Sequence, residues 1–340
     1  MLKIKSSFLL HIYNLCGMPI LNSNYKPSLL FRNGHIHTIY PALFRKPPAI
    51  AWERQRLELA DGDFLDLDWL LQDSNRLVVL GHGLEGSSNS TYILAAAHLF
   101  FANGFNVLAW NHRSCSGEMN RLPRFYHHGV TDDLDAVITQ TARFEEVHYV
   151  GYSLGGNVLL KYLGENTIQK PTNFKSAVAI SAPIDLPSCV QEIHRKSNRL
   201  YHNRFLKTLK QKVVDKAQLM PDRLSTKDLE KVRTLTDFDN YYTAPIHGFS
   251  DAADYHLRAS SKPFLPTIKL PTFLLQAQDD PMLGSDCFPI REAEENKNLH
   301  LLLTKYGGRL AFKQPSSKWH WMEKVALDFI QKHSSLNIES

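Results

Sequence analysis

The sequence is poor in cysteine and has no closely spaced cysteine pair. Its 340 residues contain four cysteines, Cys16, Cys115, Cys189 and Cys287, which lie far apart and form no C-x-x-C motif. A chain of this length buries enough surface to fold without disulfides or a structural metal. We therefore expect a reducing, cytoplasmic environment and no zinc site. Histidine pairs such as His35 and His37 lack acids or cysteines at ligand spacing, so no metal site is expected.

Long apolar runs, internal repeats and low-complexity segments are also missing. The sequence has no run of about 18 apolar residues, so no transmembrane helix is predicted. A content of 43% hydrophobic and 21% charged residues is typical of a globular protein. The first residues combine two lysines with a short apolar stretch that polar side chains interrupt, and no small-x-small cleavage site follows. We interpret 1–23 as a disordered or surface-lying extension, with Met18 as an alternative start.

Positive and negative charges nearly balance, with 39 basic and 34 acidic residues. This excess is too small to indicate a nucleic-acid-binding protein without a basic patch. The segment 191–216 is the exception, because it carries eight basic residues against Glu192 and Asp215. A solvated helix face explains such a segment; the alternative is a lid that faces an anion or makes peripheral contact with a membrane. Only two aromatic residues, Tyr201 and Phe205, lie among these charges, so nucleic-acid binding is not expected.

Short β-rich runs alternate with helical patterns along most of the chain. The predicted strands are 56–60, 64–70, 76–83, 105–110, 147–153, 175–183, 271–278 and 299–304, and the predicted helices are 92–103, 131–142, 154–165 and 319–332. Continuous apolar strands alternating with helices predict an α/β fold with a mostly parallel sheet covered on both faces. The helical segment 184–266 breaks the alternation and is interpreted as a cap inserted into a single domain, 24–335.

A G-x-S-x-G motif lies where a predicted strand runs into a helix. The motif is Gly151-Tyr152-Ser153-Leu154-Gly155. A serine on such a strained turn projects its hydroxyl above the sheet, and the flanking glycines avoid clashes with neighbouring backbone. Ser153 is therefore the predicted nucleophile.

The end of an earlier strand predicts the groups that would stabilise an oxyanion. Residues 81–86 read GHGLEG, and a loop of this type supplies a backbone N–H to the developing negative charge. We predict Leu84 as this donor and Leu154, directly after the serine, as the second. His82 is expected to orient the loop by hydrogen bonding.

Two acids follow the strand after the cap. Of Asp279 and Asp280 we prefer Asp280 as the acid that would orient a histidine, with Asp279 as a turn-forming residue. The chain order then predicts a histidine in the loop after strand 299–304. That loop reads Gly307-Gly308-Arg309, so arginine stands at the position expected for the base.

These motifs resemble the YheT-like family of α/β-hydrolase-fold serine hydrolases, relatives of the animal α/β-hydrolase-domain lipases. The resemblance spans about 24–332 and rests on FRNGH (31–35) with TIYP (38–41), HGLEGSSNSTY (82–92), NHRSCSGEMNR (111–121), FYHHG (125–129), GYSLGGN (151–157), SAP-x-DL (181–186), FDNYYTAPIHGFSDAADYH (238–256) and QAQDDP (276–281). It implies an α/β-hydrolase fold and hydrolysis of carboxylic esters or lipids, without a cofactor. The final family motif, Gly-Gly-His, is the one from which this chain departs, at Arg309.

Arginine cannot serve as the general base, because guanidinium stays protonated and accepts no hydrogen bond. It could still pair with Asp280 and keep the loop folded. His320, between two tryptophans, is the alternative base. The sequence therefore predicts an ester hydrolase impaired at its base; the alternative is an inactive pseudohydrolase that binds an acyl or anionic ligand.

Overall fold

The computed structural model describes residues 20–21, 23–167, 169–314 and 317–334. Within these residues, nine strands form one sheet. They are β1 (Ile20–Leu21), β2 (Glu53–Glu58), β3 (Phe64–Leu70), β4 (Arg76–Gly81), β5 (Asn106–Asn111), β6 (Glu146–Tyr152), β7 (Phe174–Ile180), β8 (Thr272–Ala277) and β9 (Leu299–Thr304). Their order across the sheet is β1-β9-β8-β7-β6-β4-β5-β3-β2. Only the β2–β3 and β3–β5 pairs are antiparallel. The sheet is therefore mostly parallel, as predicted.

Eleven α-helices accompany the sheet in the described residues. They are α1 (Gly34–Phe44), α2 (Thr91–Ala102), α3 (Thr131–Thr139), α4 (Leu154–Gly164), α5 (Leu186–Ile193), α6 (Arg199–Leu219), α7 (Leu235–Phe238), α8 (Ala244–His247), α9 (Ala252–Ala259), α10 (Ile290–Glu295) and α11 (Trp321–Lys332). Short 3-10 helices span Leu29–Arg32, Lys196–Asn198, Lys227–Glu230, Lys262–Thr267 and Ser285–Cys287, and a π-helical turn spans Asp239–Thr243.

Alternate residues of the buried strands supply two hydrophobic cores, one on each face of the sheet. In β4, Val79 belongs to the core shared with α3, α4 and α10, whereas Val78 and Leu80 belong to the core shared with α2 and α11. Side chains alternate between the two faces of a strand, so a strand covered on both faces must be apolar throughout. This explains the continuous apolar runs of the sequence.

The helices α5 to α9 lie between β7 and β8 and form the cap. Part of the cap has a small core of its own, in which Val213 and Ala217 of α6 pack with Phe238 and Tyr242. Phe125, from the loop before α3, joins this core and so connects the cap to the sheet domain.

Most predicted elements agree with the structure to within three residues. The turn between β2 and β3 has Gly62 at φ +85°, and the Gly62 N–H donates to the Leu59 carbonyl at 3.0 Å. The last helix begins at Trp321 rather than at residue 319, because His320 is its N-cap. Most of the expected extension 1–23 lies outside the described residues; its residues 20–21, however, add an edge strand that pairs with β9. No helix in the described ranges is long and apolar enough to cross a membrane.

Candidate active site

Ser153 occupies a strained turn between β6 and α4. Its backbone has φ +55° and ψ −119°, a conformation that costs energy for a residue with a side chain and persists where the surroundings enforce it. A Cβ atom on Gly155 would lie 2.5 Å from the Gly81 carbonyl oxygen, and one on Gly151 would lie 2.5 Å from the Gly155 carbonyl oxygen. Both glycines of the motif are therefore required by close backbone packing. The predicted strand–turn–helix context of the serine is confirmed.

Arg309 lies between Ser153 and Asp280. Its Nη2 donates a hydrogen bond to Ser153 Oγ at 2.7 Å, and its Nη1 lies 3.4 and 3.3 Å from the two carboxylate oxygens of Asp280. The guanidinium is largely buried, with 11% of the side chain exposed, and the Asp280 side chain is fully buried. The structure thus brings together the three residues that the sequence singled out on loops after β6, β8 and β9.

The two neighbouring acids have different environments. Asp280 Oδ1 accepts the Met282 N–H at 2.9 Å; burial raises the pKa of Asp280, and the nearby Arg309 guanidinium opposes this shift. Asp279 Oδ1 accepts the Gly308 N–H at 2.9 Å, while Oδ2 is buried without a hydrogen-bond partner in the described part of the chain. Burial raises the pKa of Asp279 to about 6. Asp280 therefore faces the arginine, and Asp279 holds the glycine turn.

Helix α1 holds the arginine loop in place. Thr38 Oγ1 accepts the backbone N–H of Arg309 at 2.9 Å, and Ser181 Oγ, just after β7, accepts the Leu310 N–H at 3.3 Å. Asn33 caps α1 by accepting the N–H groups of His35 and Ile36. Thr38 and Ser181 were not among the predicted site residues. The only sequence signal was their position inside motifs of the family resemblance.

Two backbone N–H groups beside Ser153 have no protein acceptor among the described residues. One belongs to Leu154, the first residue of α4, and the other to Leu84. By contrast, the N–H of Gly83 donates to the Tyr92 hydroxyl at 3.0 Å and that of Glu85 to the Tyr126 hydroxyl at 2.7 Å. Leu84, Leu154 and Ser153 line the same cavity, and their assignment as oxyanion donors stays a prediction.

The histidines near the site are held by structural hydrogen bonds. His82 accepts the His112 backbone N–H on Nε2 at 3.1 Å, so its Nδ1 donates to the Gly83 carbonyl at 2.7 Å. Burial lowers the pKa of His82 to about 4, and the neutral ring orients the loop, as predicted. His128 Nδ1 contacts the Tyr255 hydroxyl at 2.8 Å, and burial lowers its pKa to about 3.

The alternative base His320 does not lie at Ser153. Its Nδ1 is hydrogen-bonded to the Ala311 carbonyl oxygen, and its backbone N–H, at the N-cap of α11, donates to Glu323 Oε2 at 2.9 Å. It lines a different cleft, between α1, α2 and the start of α11. Burial lowers the pKa of His320 to about 3. The prediction of His320 as a substitute base is therefore wrong, because the loop after β9 brings Arg309 to the serine and carries His320 away to the start of α11.

A cavity of about 500 Å³ lies above Ser153, between the sheet and the cap. Much of its lining is apolar; the lining includes Leu84, Leu154, Leu186, Phe205, Leu209 and Met282. The cap also contributes Asp239 and His256, whose Oδ2 and Nε2 atoms lie 2.8 Å apart. Sequence analysis did not predict this pair, although the two residues lie within one motif of the family resemblance.

The basic segment of the cap is not uniformly solvated. Its inward-facing cations are Lys210, Lys212 and Lys216: Lys210 Nζ donates to the Val232 carbonyl at 3.1 Å, and Lys212 pairs with Glu85 at 2.7 Å. Lys216 is fully buried and donates to three oxygens on the loop 120–124. The interpretation as a solvated helix face does not describe these three lysines, because α6 turns them toward the protein. Lys212, together with Arg204, lines the cavity above Ser153.

No cluster of histidine, cysteine, aspartate or glutamate suited to a metal ion occurs among the residues that the structure describes. The Sγ atoms of Cys189 and Cys287 lie 3.3 Å apart as buried free thiols.

The fold and the serine turn define the class of the protein. Residues 76–286 match the family model described as alpha/beta hydrolase fold, and the chain belongs to this family, within its esterase- and lipase-type members. It is 36% identical over 301 residues to “Putative esterase YheT” of Escherichia coli, covering 86% of this chain and 87% of that protein. It is 28% identical to human “Phospholipase ABHD3”, covering 92% and 80%. The Pyrococcus furiosus esterase Pf2001 has the same fold, with a TM-score of 0.54 at 16% identity over 95% of this chain and 98% of that one.

Proposed function

We propose that this chain binds carboxylic esters of small molecules or lipids in the cavity above Ser153 and hydrolyses them slowly. Ser153 is the nucleophile, and the N–H groups of Leu84 and Leu154 receive the charge that develops on the ester carbonyl oxygen. The cap, about 184–266, covers the acyl chain within a single hydrolase domain. The single observation that carries the slow rate is the 2.7 Å hydrogen bond from Arg309 to Ser153 Oγ.

That hydrogen bond runs in the unproductive direction. A general base must accept the serine proton as Oγ attacks the carbonyl carbon. Arg309 has only donors, so it occupies a lone pair of Oγ and cannot take the proton. The proton must instead pass to water in the cavity. Sites that lose one triad member retain about 10³–10⁴-fold catalysis over water through the oxyanion donors and substrate binding, and we expect a residual rate of this order.

A fluorophosphonate probe, which reacts covalently with an activated serine, tests this proposal. We expect slow labelling of the unmodified chain, none of Ser153→Ala, and labelling of Arg309→His faster by about 10³-fold or more. In that variant the Asp280 carboxylate would accept the imidazole N–H. Arg309→Lys is the matched control, because it keeps the charge and supplies no base near neutral pH. Rapid labelling of the unmodified chain would overturn the proposed impairment.

The second candidate is a binding protein for acyl carboxylates. A neutral histidine beside ionised Asp280 would leave the site with one negative charge, whereas Arg309 cancels that charge. Two free backbone N–H groups and a guanidinium beside the serine favour a carboxylate over an uncharged ester. Calorimetric titration with a long-chain carboxylate and its methyl ester distinguishes the candidates. Tighter binding of the carboxylate that disappears in Arg309→Gln, with no fluorophosphonate labelling, supports the binding protein.

A further inference from the structure

Exposed apolar side chains are concentrated in one short segment. Of the twelve large apolar side chains that are exposed in the described part of the chain, six lie within residues 29–44. They are Leu29 (77% exposed), Leu30 (58%), Ile36 (40%), Tyr40 (37%), Leu43 (65%) and Phe44 (63%), and we call them the α1 apolar surface. Single exposed apolar residues need no explanation, but a cluster marks an interaction site.

Four of the six side chains lie on α1, and the other two lie on the turn before it. Ile36, Tyr40, Leu43 and Phe44 follow one another at helical spacing along one side of α1, and the rings of Tyr40 and Phe44 are 4.8 Å apart. The Phe31 ring lies 5.1 Å from Tyr40, which places the turn that carries Leu29 and Leu30 beside the helix. The surface is therefore one side of a helix extended by the preceding turn.

This surface borders the candidate active site. The inner side of α1 buries His37 and Pro41. Thr38, Pro41 and Ala42 line the cavity above Ser153. The outer side of α1 and the cavity are therefore separated only by this helix. An apolar molecule that contacts the outer side of α1 has the cavity on the opposite side of the same helix.

The segment that carries this surface has charges of one sign. Residues 20–52 contain no aspartate or glutamate and four cations, Lys26, Arg32, Arg45 and Lys46. Arg45 pairs with Glu323, whereas the other three are exposed and have no carboxylate partner among the described residues. Lys313 adds a fifth positive charge near the Phe31 and Tyr40 rings, at 5.9 and 5.6 Å.

We propose that the α1 apolar surface docks this protein onto an anionic phospholipid bilayer. Apolar side chains ringed by lysine and arginine are the combination that binds at the headgroup boundary, through apolar insertion and attraction to anionic lipid. A second copy of the chain fits less well, because a symmetric dimer would place these unpaired cations opposite one another. The docking surface is α1 rather than the basic side of α6, which turns three of its lysines inward.

Vesicle co-sedimentation with the full chain tests the proposal. We expect binding to vesicles of phosphatidylglycerol and phosphatidylcholine, and much weaker binding to phosphatidylcholine alone. Leu43→Ser combined with Phe44→Ser removes apolar area without changing the charge, and should weaken binding by about tenfold or more. The matched control is Leu219→Ser combined with Leu257→Ser. These leucines are similarly exposed, 68% and 65%, but lie in the cap and not on α1, so this variant should bind like the unmodified chain.

Further variants separate the alternatives. Lys26→Gln, Arg32→Gln and Lys46→Gln together should also weaken binding to anionic vesicles by about tenfold or more. Changing Arg199, Arg204, Lys207 and Lys210 to Gln should leave binding unaltered. The proposal is overturned if the Leu43/Phe44 variant binds as tightly as the unmodified chain, if the control variant loses binding equally, or if light scattering shows a dimer that only the Leu43/Phe44 variant dissociates. All these readouts are independent of Ser153 chemistry.

Discussion

Removing the Arg309 side chain should destabilise the protein through the acid it leaves behind. In Arg309→Ala the fully buried carboxylate of Asp280 loses its cationic neighbour. Removing one partner of a buried ion pair costs about 3–5 kcal/mol. The contacts here are long, at 3.3 and 3.4 Å, and Asp280 keeps the Met282 N–H. We therefore expect a loss below that range, about 2 kcal/mol in the free energy of unfolding.

A double-mutant cycle isolates the contribution of the contact itself. Asp280→Asn removes the buried charge, so Arg309→Ala should cost much less in that background, with a coupling of about 2 kcal/mol. The matched control is the pair Arg258–Asp254, which is also close, at 3.0 Å, but is largely exposed on the cap. Such surface pairs couple by about 0.5 kcal/mol or less.

Urea unfolding followed by circular dichroism gives the four free energies for each cycle. Acidification provides an internal check, because burial raises the pKa of Asp280 and the loss of Arg309 raises it further. The penalty of Arg309→Ala should therefore shrink as the pH falls and the carboxyl becomes neutral. A coupling for Arg309 and Asp280 no larger than that of the surface pair would refute the bridging geometry on which the proposed impairment rests.

Two other substitutions probe the backbone around the site. Asp279→Asn should stabilise the protein near pH 7. The pKa of Asp279 in the folded state, about 6, exceeds the ordinary value of 3.8, so the stability of the unmodified chain falls as the pH rises between these two values. The fall is at most about 3 kcal/mol, and smaller once the partial exposure of Asp279 is allowed for. Unfolding of both chains at pH 4 and pH 7 checks this. A difference in unfolding free energy between the variant and the unmodified chain that is the same at both pH values would contradict it. Gly155→Ala should cost about 2–4 kcal/mol, because the new methyl group meets the rigid Gly81 carbonyl at 2.5 Å. Gly62→Ala, with no atom within 4 Å, should lose only about 1 kcal/mol from its left-handed backbone; thermal unfolding showing equal losses would exclude a steric cause.

Local patterns in the sequence were sufficient for the fold and for the position of the reacting serine. A strand buried on both faces must be apolar throughout, and β8 was accordingly predicted at 271–278 and found at 272–277. The strand–turn–helix context of Ser153 is local too, because the turn, the glycines and the helix start lie within five residues. The fold, the family and the departure at Arg309 were therefore readable from the chain alone.

Only the tertiary structure decided what Arg309 does and which histidines matter. An arginine side chain can point to solvent or inward, and its direction here depends on Thr38 of α1 and Asp280 of a different loop. His320 could not be excluded as the base from its spacing, because the path of the loop before α11 is set by packing. For the same reason, the sequence did not show that three lysines of α6 point inward or that one side of α1 is exposed. Helical periodicity predicts which residues share a face, whereas contacts distant in the chain decide which face is buried.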